Sequence, residues 1–136
     1  MTHGFIISKK GFYVGDICYA MPNRLYHEFW GDELGFASGV HLVPKNEILP
    51  SGAGFFFAVD NSAWGDGCLR DNSRREYDVD AGVIGMLPLE LVDTDRYYGG
   101  GHIFEIPGVA EFLCEDGKFT IILPKPSEEL IIIDTN

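Results

Sequence analysis

Apolar residues along this chain come in short runs, each cut by Gly, Asp, Asn or Pro. The clearest case is Phe55 to Asp60, then Trp64-Gly65-Asp66-Gly67, then Tyr77 to Met86. It predicts strand, tight turn, strand, kink and strand. Upstream, Phe5 to Ser8 and Phe12 to Val14 are strand candidates around Lys9-Lys10-Gly11, and Gly15-Asp16 bends the chain before Ile17 to Ala20. Val40 to Val43 is a further strand candidate. Downstream, His102 to Ile106, Val109 to Glu115, Lys118 to Leu123 and Leu130 to Ile133 read as a meander, with Asp116-Gly117 as its strongest hairpin signal. One helix is predicted, Pro22 to Trp30. Proline suits its first position, Gly31 its C-terminal cap, and Leu25/Phe29 and Tyr26/Trp30 pair at i,i+4. About nine or ten short strands with close turn signals predict a mainly β (or β-rich α+β) fold, an antiparallel sandwich or partly open barrel with one short helix. Phe56, Val59, Val83, Ile84, Phe104, Phe112, Phe119 and Ile121 are expected to share one core.

Length adds one expectation: 136 residues suit a single globular domain over 1–136, long enough to bury roughly two thirds of its unfolded surface. Charge changes the picture more. The net charge is −11, from 21 acidic and 10 basic residues. Nucleic-acid affinity rests on Lys and Arg neutralising phosphates, so a nucleic-acid partner is not expected. A cation site, a basic protein partner or solubility alone remains compatible with that charge. Cys18, Cys68 and Cys114 make no C-x-x-C pair, which excludes a zinc ribbon or thioredoxin motif. Phe5-Ile6-Ile7 is too short for a signal sequence or membrane span. Reduced thiols in a cytoplasmic protein without a cofactor are the expectation.

Carboxylates gather around the central hairpin: Asp60, Asp66, Asp71, Asp78 and Asp80. Hard cations take several oxygen ligands, so Asp66, Asp78 and Asp80 are the candidate metal ligands, without the spacing of an EF-hand. The alternative is that such residues cap turns. Asp66 and Asp80, each close to glycine, are expected to accept from turn amides. His3, His27, His41 and His102 show no H-E-x-x-H spacing and are expected to be structural. A G-x-S-x-G elbow and a phosphate-binding loop are both missing, and Gly99-Gly100-Gly101 precedes a strand rather than a helix. Trp64 in a turn, and Tyr97-Tyr98 beside glycines, are the candidate contact residues for a partner.

Three segments carry a resemblance. Gly15-Asp16-Ile17-Cys18-Tyr19, Trp64-Gly65-Asp66-Gly67 and Val79-Asp80-Ala81-Gly82-Val83-Ile84-Gly85, in that order, resemble a family of small uncharacterised proteins from bacteria and their phages. That family has a Gly-Asp-Pro-Cys-Tyr element, a Gly-Asp-Gly turn before a strand, and a Val-Asp-(Ala/Ser)-Gly-x-Ile segment. The similarity spans residues 11 to 92, and Ile17 stands where the family usually has proline. The resemblance implies a β-rich fold and a phage-related origin. It transfers no catalytic residue.

The favoured reading is a non-enzymatic cytoplasmic binding or accessory module with a protein partner, and with neither nucleic acid nor membrane. Two alternatives stand beside it. One is a metal-assisted hydrolase using Asp66, Asp78, Asp80 and His102. The other is an acidic inhibitor that imitates nucleic acid. The oligomeric state is not legible in the chain.

Overall fold

The structure, a computed structural model, describes residues 1–44, 54–93, 95 and 100–136. Of the described residues 47% are in strands and 14% in helical segments, a β-rich α+β arrangement of three antiparallel sheets that do not close into a barrel. In chain order the strands are β1 (Thr2–Ser8), β2 (Phe12–Gly15), β3 (Gly39–Leu42), β4 (Phe56–Asn61), β5 (Gly67–Arg70), β6 (Glu76–Val79), β7 (Val83–Pro88), β8 (His102–Phe104), β9 (Gly108–Glu115), β10 (Lys118–Ile122) and β11 (Leu130–Asp134). One sheet has the order β1-β9-β10-β11, the second β3-β4-β7-β2-β8, and β5-β6 is a separate hairpin. Among the described residues no helix is long and apolar enough to cross a membrane.

The five-stranded sheet is covered on both faces. Side chains alternate across a strand, so adjacent residues serve different layers. Phe12, Val14, Ala58, Ile84 and Met86 face the four-stranded sheet, where they meet Ile6, Ala110, Phe112, Phe119, Ile121, Ile131 and Ile133. Tyr13, Phe57, Val59, Val83 and Leu87 face the other way, onto Ile17, Met21, Leu25, Phe29, Trp30 and Leu91. This double burial explains why β7 is buried at every position and reads as an unbroken apolar run. It also corrects the single core expected from sequence. Val59 and Val83 belong to the helical side, and Ile84, one residue from Val83, belongs to the sandwich side. Phe56, at the start of β4, is 39% exposed and belongs to neither.

The helix differs from its expectation in position and winding. It is a π-helix over Leu25–Glu33, so Gly31 lies inside it rather than at its cap. Leu34 N–H reaches back five residues to the Phe29 carbonyl at 3.0 Å. Leu25, Phe29-Trp30 and Leu34 recur at spacings of four to five, which suits that wider winding. The chain leaves the helix through Gly35 (φ 60°) and Phe36 (φ 58°). The β9–β10 turn is as its sequence predicts. Asp116 (φ 51°) and Gly117 (φ 78°) are both left-handed, the two-residue turn that matches strand twist.

The β5–β6 hairpin is tied to the edge of β11. Asp71 bridges to Ile133, and Asn72 exchanges bonds with Ile132, donating its N–H at 3.0 Å and accepting at its side-chain oxygen at 2.9 Å. This covers an edge that would otherwise offer unpaired backbone groups. The buried Asp71 carboxylate accepts from Ser73 N–H (2.7 Å), Arg75 N–H (3.0 Å), the Arg75 guanidinium (3.1 Å) and Tyr77 hydroxyl (2.8 Å). Arg75 also meets Glu129 at 2.7 Å and lies over the Phe104 ring at 5.0 Å. Burial pushes the Asp71 carboxyl upward, but Tyr77, Arg75 and Ser73 together hold it below the ordinary aspartate range.

Two predictions follow from this packing. Phe119→Ala, which empties a fully buried site, is expected to cost about 3–5 kcal/mol in urea unfolding, and Phe56→Ala under about 1 kcal/mol. The Asp71 carboxyl lies lower in the folded state than in the unfolded one. Its contribution is therefore present above about pH 4 and is lost as pH falls through the folded value. The stability gap between wild type and Asp71→Asn should accordingly narrow as urea midpoints are measured at decreasing pH from neutrality to about pH 3.

Candidate functional site

The site grows from one buried carboxylate. β2 ends at Gly15, and Asp16 follows in extended backbone (φ −67°, ψ 121°), capping the 3₁₀ turn Ile17–Tyr19. One Asp16 oxygen accepts Cys18 N–H at 3.0 Å. The other accepts Asp80 N–H at 2.8 Å and Ala81 N–H at 2.6 Å. Asp16 has no exposed surface, and three charge-assisted bonds are what such a burial requires. Tyr13 hydroxyl donates to the Asp16 carbonyl at 2.8 Å. Burial, reinforced by the Asp16 charge, pushes the Tyr13 phenol above its ordinary value and keeps it a neutral donor.

Asp16 thereby holds β2 against the turn between β6 and β7. Within that turn Gly82 takes φ 74°, a left-handed conformation that suits glycine. The Gly82 carbonyl accepts Ser62 N–H at 2.9 Å and Ser62 hydroxyl at 3.2 Å, and the same hydroxyl donates to the Gly65 carbonyl. Residues 15–19, 62–67 and 79–85 therefore converge at one end of the molecule. The three motifs noted in the sequence are parts of one hydrogen-bonded construction.

Beside it lies an open groove of about 350 Å³, with Tyr26, Trp30 and Phe36 on one wall and Asn61, Ala81 and Val83 on the other. Trp30 is buried, and its indole N–H donates to the Ala37 carbonyl at 2.8 Å. Phe36 packs edge-on against Trp30 at 5.0 Å and stands 6.0 Å from Tyr26. Phe36 is nonetheless 52% exposed and sits at positive φ, a costly conformation for a bulky residue. It is held there by its N–H on the Trp30 carbonyl at 2.8 Å. Trp64, on the turn that meets Gly82, is 81% exposed. Among the described residues that line the groove Tyr26 is the one titratable group, so these walls suit apolar contact and stacking rather than proton transfer.

The candidate metal ligands go to separate places. The Asp80 carboxylate accepts the Tyr19 hydroxyl, a bond that, with some desolvation, pushes the Tyr19 phenol upward. Asp78 lies opposite Cys68 across the hairpin; desolvation and a hydrogen bond to Asp78 push that thiol up. Asp66 is exposed, with no hydrogen bond among the described residues. No three His, Cys, Asp or Glu side chains among the described residues are placed to hold one metal ion. His102 donates to the Glu76 carbonyl at 2.7 Å and packs edge-on against Tyr77. Tyr97 and Tyr98 lie outside the described residues.

The expected caps also change hands. At the 80–82 turn Asp80 contributes its own N–H as donor, and the acceptor is Asp16, 64 residues away in sequence. A local turn rule looks within a few residues and cannot find such a partner. The signals for Asp16 are Gly15-Asp16 interrupting an apolar run and its place in the first of the three resembling segments, and Phe36 carries none.

Asp16→Ala leaves three amides without their acceptor and is expected to cost about 3 kcal/mol in urea unfolding, with Asp16→Asn intermediate. Asp66→Ala should fall within about 0.5 kcal/mol of wild type, as for other unpartnered surface groups. Equal losses for the two alanine variants would remove Asp16 from its organising role.

No model of a known protein family, no curated protein and no solved structure matches this chain.

Proposed function

We propose that this chain is a non-enzymatic binding or accessory module, cytoplasmic and phage-related in origin, that engages a protein partner through its aromatic end. The observation that carries the reading is a groove whose aromatic wall includes a half-exposed Phe36 held at positive φ, together with Trp64, 81% exposed, on a turn bonded to Gly82 between the groove-lining Ala81 and Val83. Exposed tryptophan is the residue type most enriched among interface hot spots. Backbone strain retained at a surface aromatic is the kind of cost that persists at binding sites. The net charge of −11 disfavours nucleic acid as the partner. The bacterial and phage resemblance is borne by the same turns that build this end, which supports an accessory role.

A displayed peptide library selected on the folded protein tests the reading. Selected peptides are expected to shift the tryptophan fluorescence of wild type. They should bind Trp64→Ala and Phe36→Ala at least about tenfold more weakly, the loss of roughly 1.4 kcal/mol that defines a contributing contact. Trp64→Ala should keep the wild-type melting temperature, since the ring is exposed. Undiminished binding by both variants would remove the function from this end of the molecule.

A further inference from the structure

The groove is apolar, but the segments that form it carry acids. Asp32 and Glu33 lie between the lining residues Trp30 and Phe36, Asp80 directly precedes Ala81, and Asp66 shares a turn with Trp64. All four are exposed, and none has an ion-pair partner among the described residues. The bond that Asp80 makes is to the neutral Tyr19 hydroxyl. On the helix, the Arg24 guanidinium is already bonded to Glu28 at 2.6 Å. The 61–67 turn meets the end of β11 here, where Ala63 N–H donates to the Thr135 hydroxyl at 2.8 Å and that hydroxyl donates to the Gly117 carbonyl at 2.6 Å. Lys118 is the one Lys or Arg in the turns 61–67, 79–83 and 115–118, and strand register sets it between Glu115 and Asp134. The chain's other described cations are elsewhere. Lys9-Lys10 follow the end of β1 and Lys125 the end of β10, at the opposite end of that sheet. Arg70, Arg74 and Arg75 belong to the β5–β6 hairpin, where Arg70 is paired with Glu76, and Arg75 with Asp71 and Glu129.

We infer that the groove takes an arginine side chain from a basic segment of the protein partner. The inference rests on the binding reading above and states the chemistry that the partner presents. Charge complementarity is the first argument. The field of an unpaired carboxylate reaches about 8–10 Å at ordinary salt. Asp32, Glu33 and Asp80, each within three residues of a lining position, therefore act on whatever enters without touching it. That field repels an anionic segment, gives an apolar one nothing, and attracts a cation. Ring chemistry is the second argument. The faces of aromatic rings carry negative charge density, and arginine, planar and weakly hydrated, stacks on them more readily than lysine. Phe36 is 52% exposed and Tyr26 half-buried, so both rings of that wall are open to a ligand. On the other wall the exposed Asn61 brings a carboxamide, whose oxygen can accept a guanidinium N–H.

Tryptophan fluorescence of the full chain, titrated at about pH 8 where ordinary histidines are neutral, tests this with three capped heptapeptides. In these, Gly alternates with Arg, with Leu or with Glu. At about 50 mM NaCl the arginine peptide is expected to bind at least about tenfold more tightly than the other two. Raising the salt to about 500 mM should weaken that binding at least about tenfold, because screening removes the field. The combined variant Asp32→Asn, Glu33→Gln, Asp66→Asn should weaken it at least about tenfold, and so should Phe36→Ala. Glu76→Gln, Glu105→Gln, Glu128→Gln removes the same charge elsewhere on the molecule and should change it less than about threefold. If the first combined variant fails to fold by circular dichroism, amide shifts of wild type with the arginine peptide report the contact. They are expected within residues 26–36 and 80–83. Equal losses from the two combined variants overturn the inference, as do undiminished binding by Phe36→Ala and amide shifts confined to other segments. An arginine peptide that binds no more tightly than the leucine peptide, or library-selected peptides without an excess of arginine, overturns it and leaves the binding reading standing. Failure of every peptide to bind, selected ones included, removes both.

Discussion

Burial of the five-stranded sheet on both faces is the constraint from which the rest follows. A sheet with one dry face needs one partner layer; a sheet with two needs two. The four-stranded sheet supplies one, through Ile6, Phe112, Phe119 and Ile121. The helical segments supply the other, through Ile17, Met21, Leu25, Phe29 and Trp30. The π winding is understandable in this light. It keeps Leu25, Phe29-Trp30 and Leu34 all facing Phe57, Val59 and Val83. Gly85, at the centre of β7, shows how closely the layers pack: a Cβ there would lie 2.6 Å from both the Ala58 carbonyl oxygen and an Ile17 methyl.

Asp16 is the polar counterpart of that constraint. A buried carboxylate is tolerable only when its charge is matched by donors, and here the donors are one backbone amide of its own turn and two from the distant β6–β7 turn. The same atoms that solve a local solvation problem therefore set the register between β2 and the β6–β7 turn. Ser62 extends this bonding to the Trp64 turn through Gly82 and Gly65. The turn that carries Trp64 is thus tied to the β6–β7 turn, which lowers the ordering cost of a contact made there.

The protein's surface is uneven in chemistry. Its many carboxylates are spread over turns and edges, and several are engaged by separate partners: Asp71 by Arg75 and Tyr77, Asp60 by Thr2, Glu90 by Ser8, Asp80 by Tyr19. Cys114 shows the same pattern inside the sandwich, where burial and the nearby Asp60 push its thiol up to about 12 and leave it unreactive. One region departs from this acidic background, the aromatic groove.

What was legible in the sequence was what short-range physics controls. Asp116-Gly117 specified its turn because both positions tolerate φ > 0. Alternation along β9 and β10 announced which residues face inward, and turn density announced a β-rich fold. Tertiary structure alone decided the rest, because the deciding contacts are long-range. Whether Val83 and Ile84 share a core depends on how many layers cover β7, which periodicity along one strand cannot report. Gly31 looks like a helix cap until the packing of Leu34 carries the helix past it to Gly35. Asp16 and Asp80 are ordinary turn aspartates in sequence; only the fold makes one the acceptor and the other the donor. The groove is made of residues 26 to 36 and 61 to 83, and its two walls exist only where the helical layer meets the turns of the sheet.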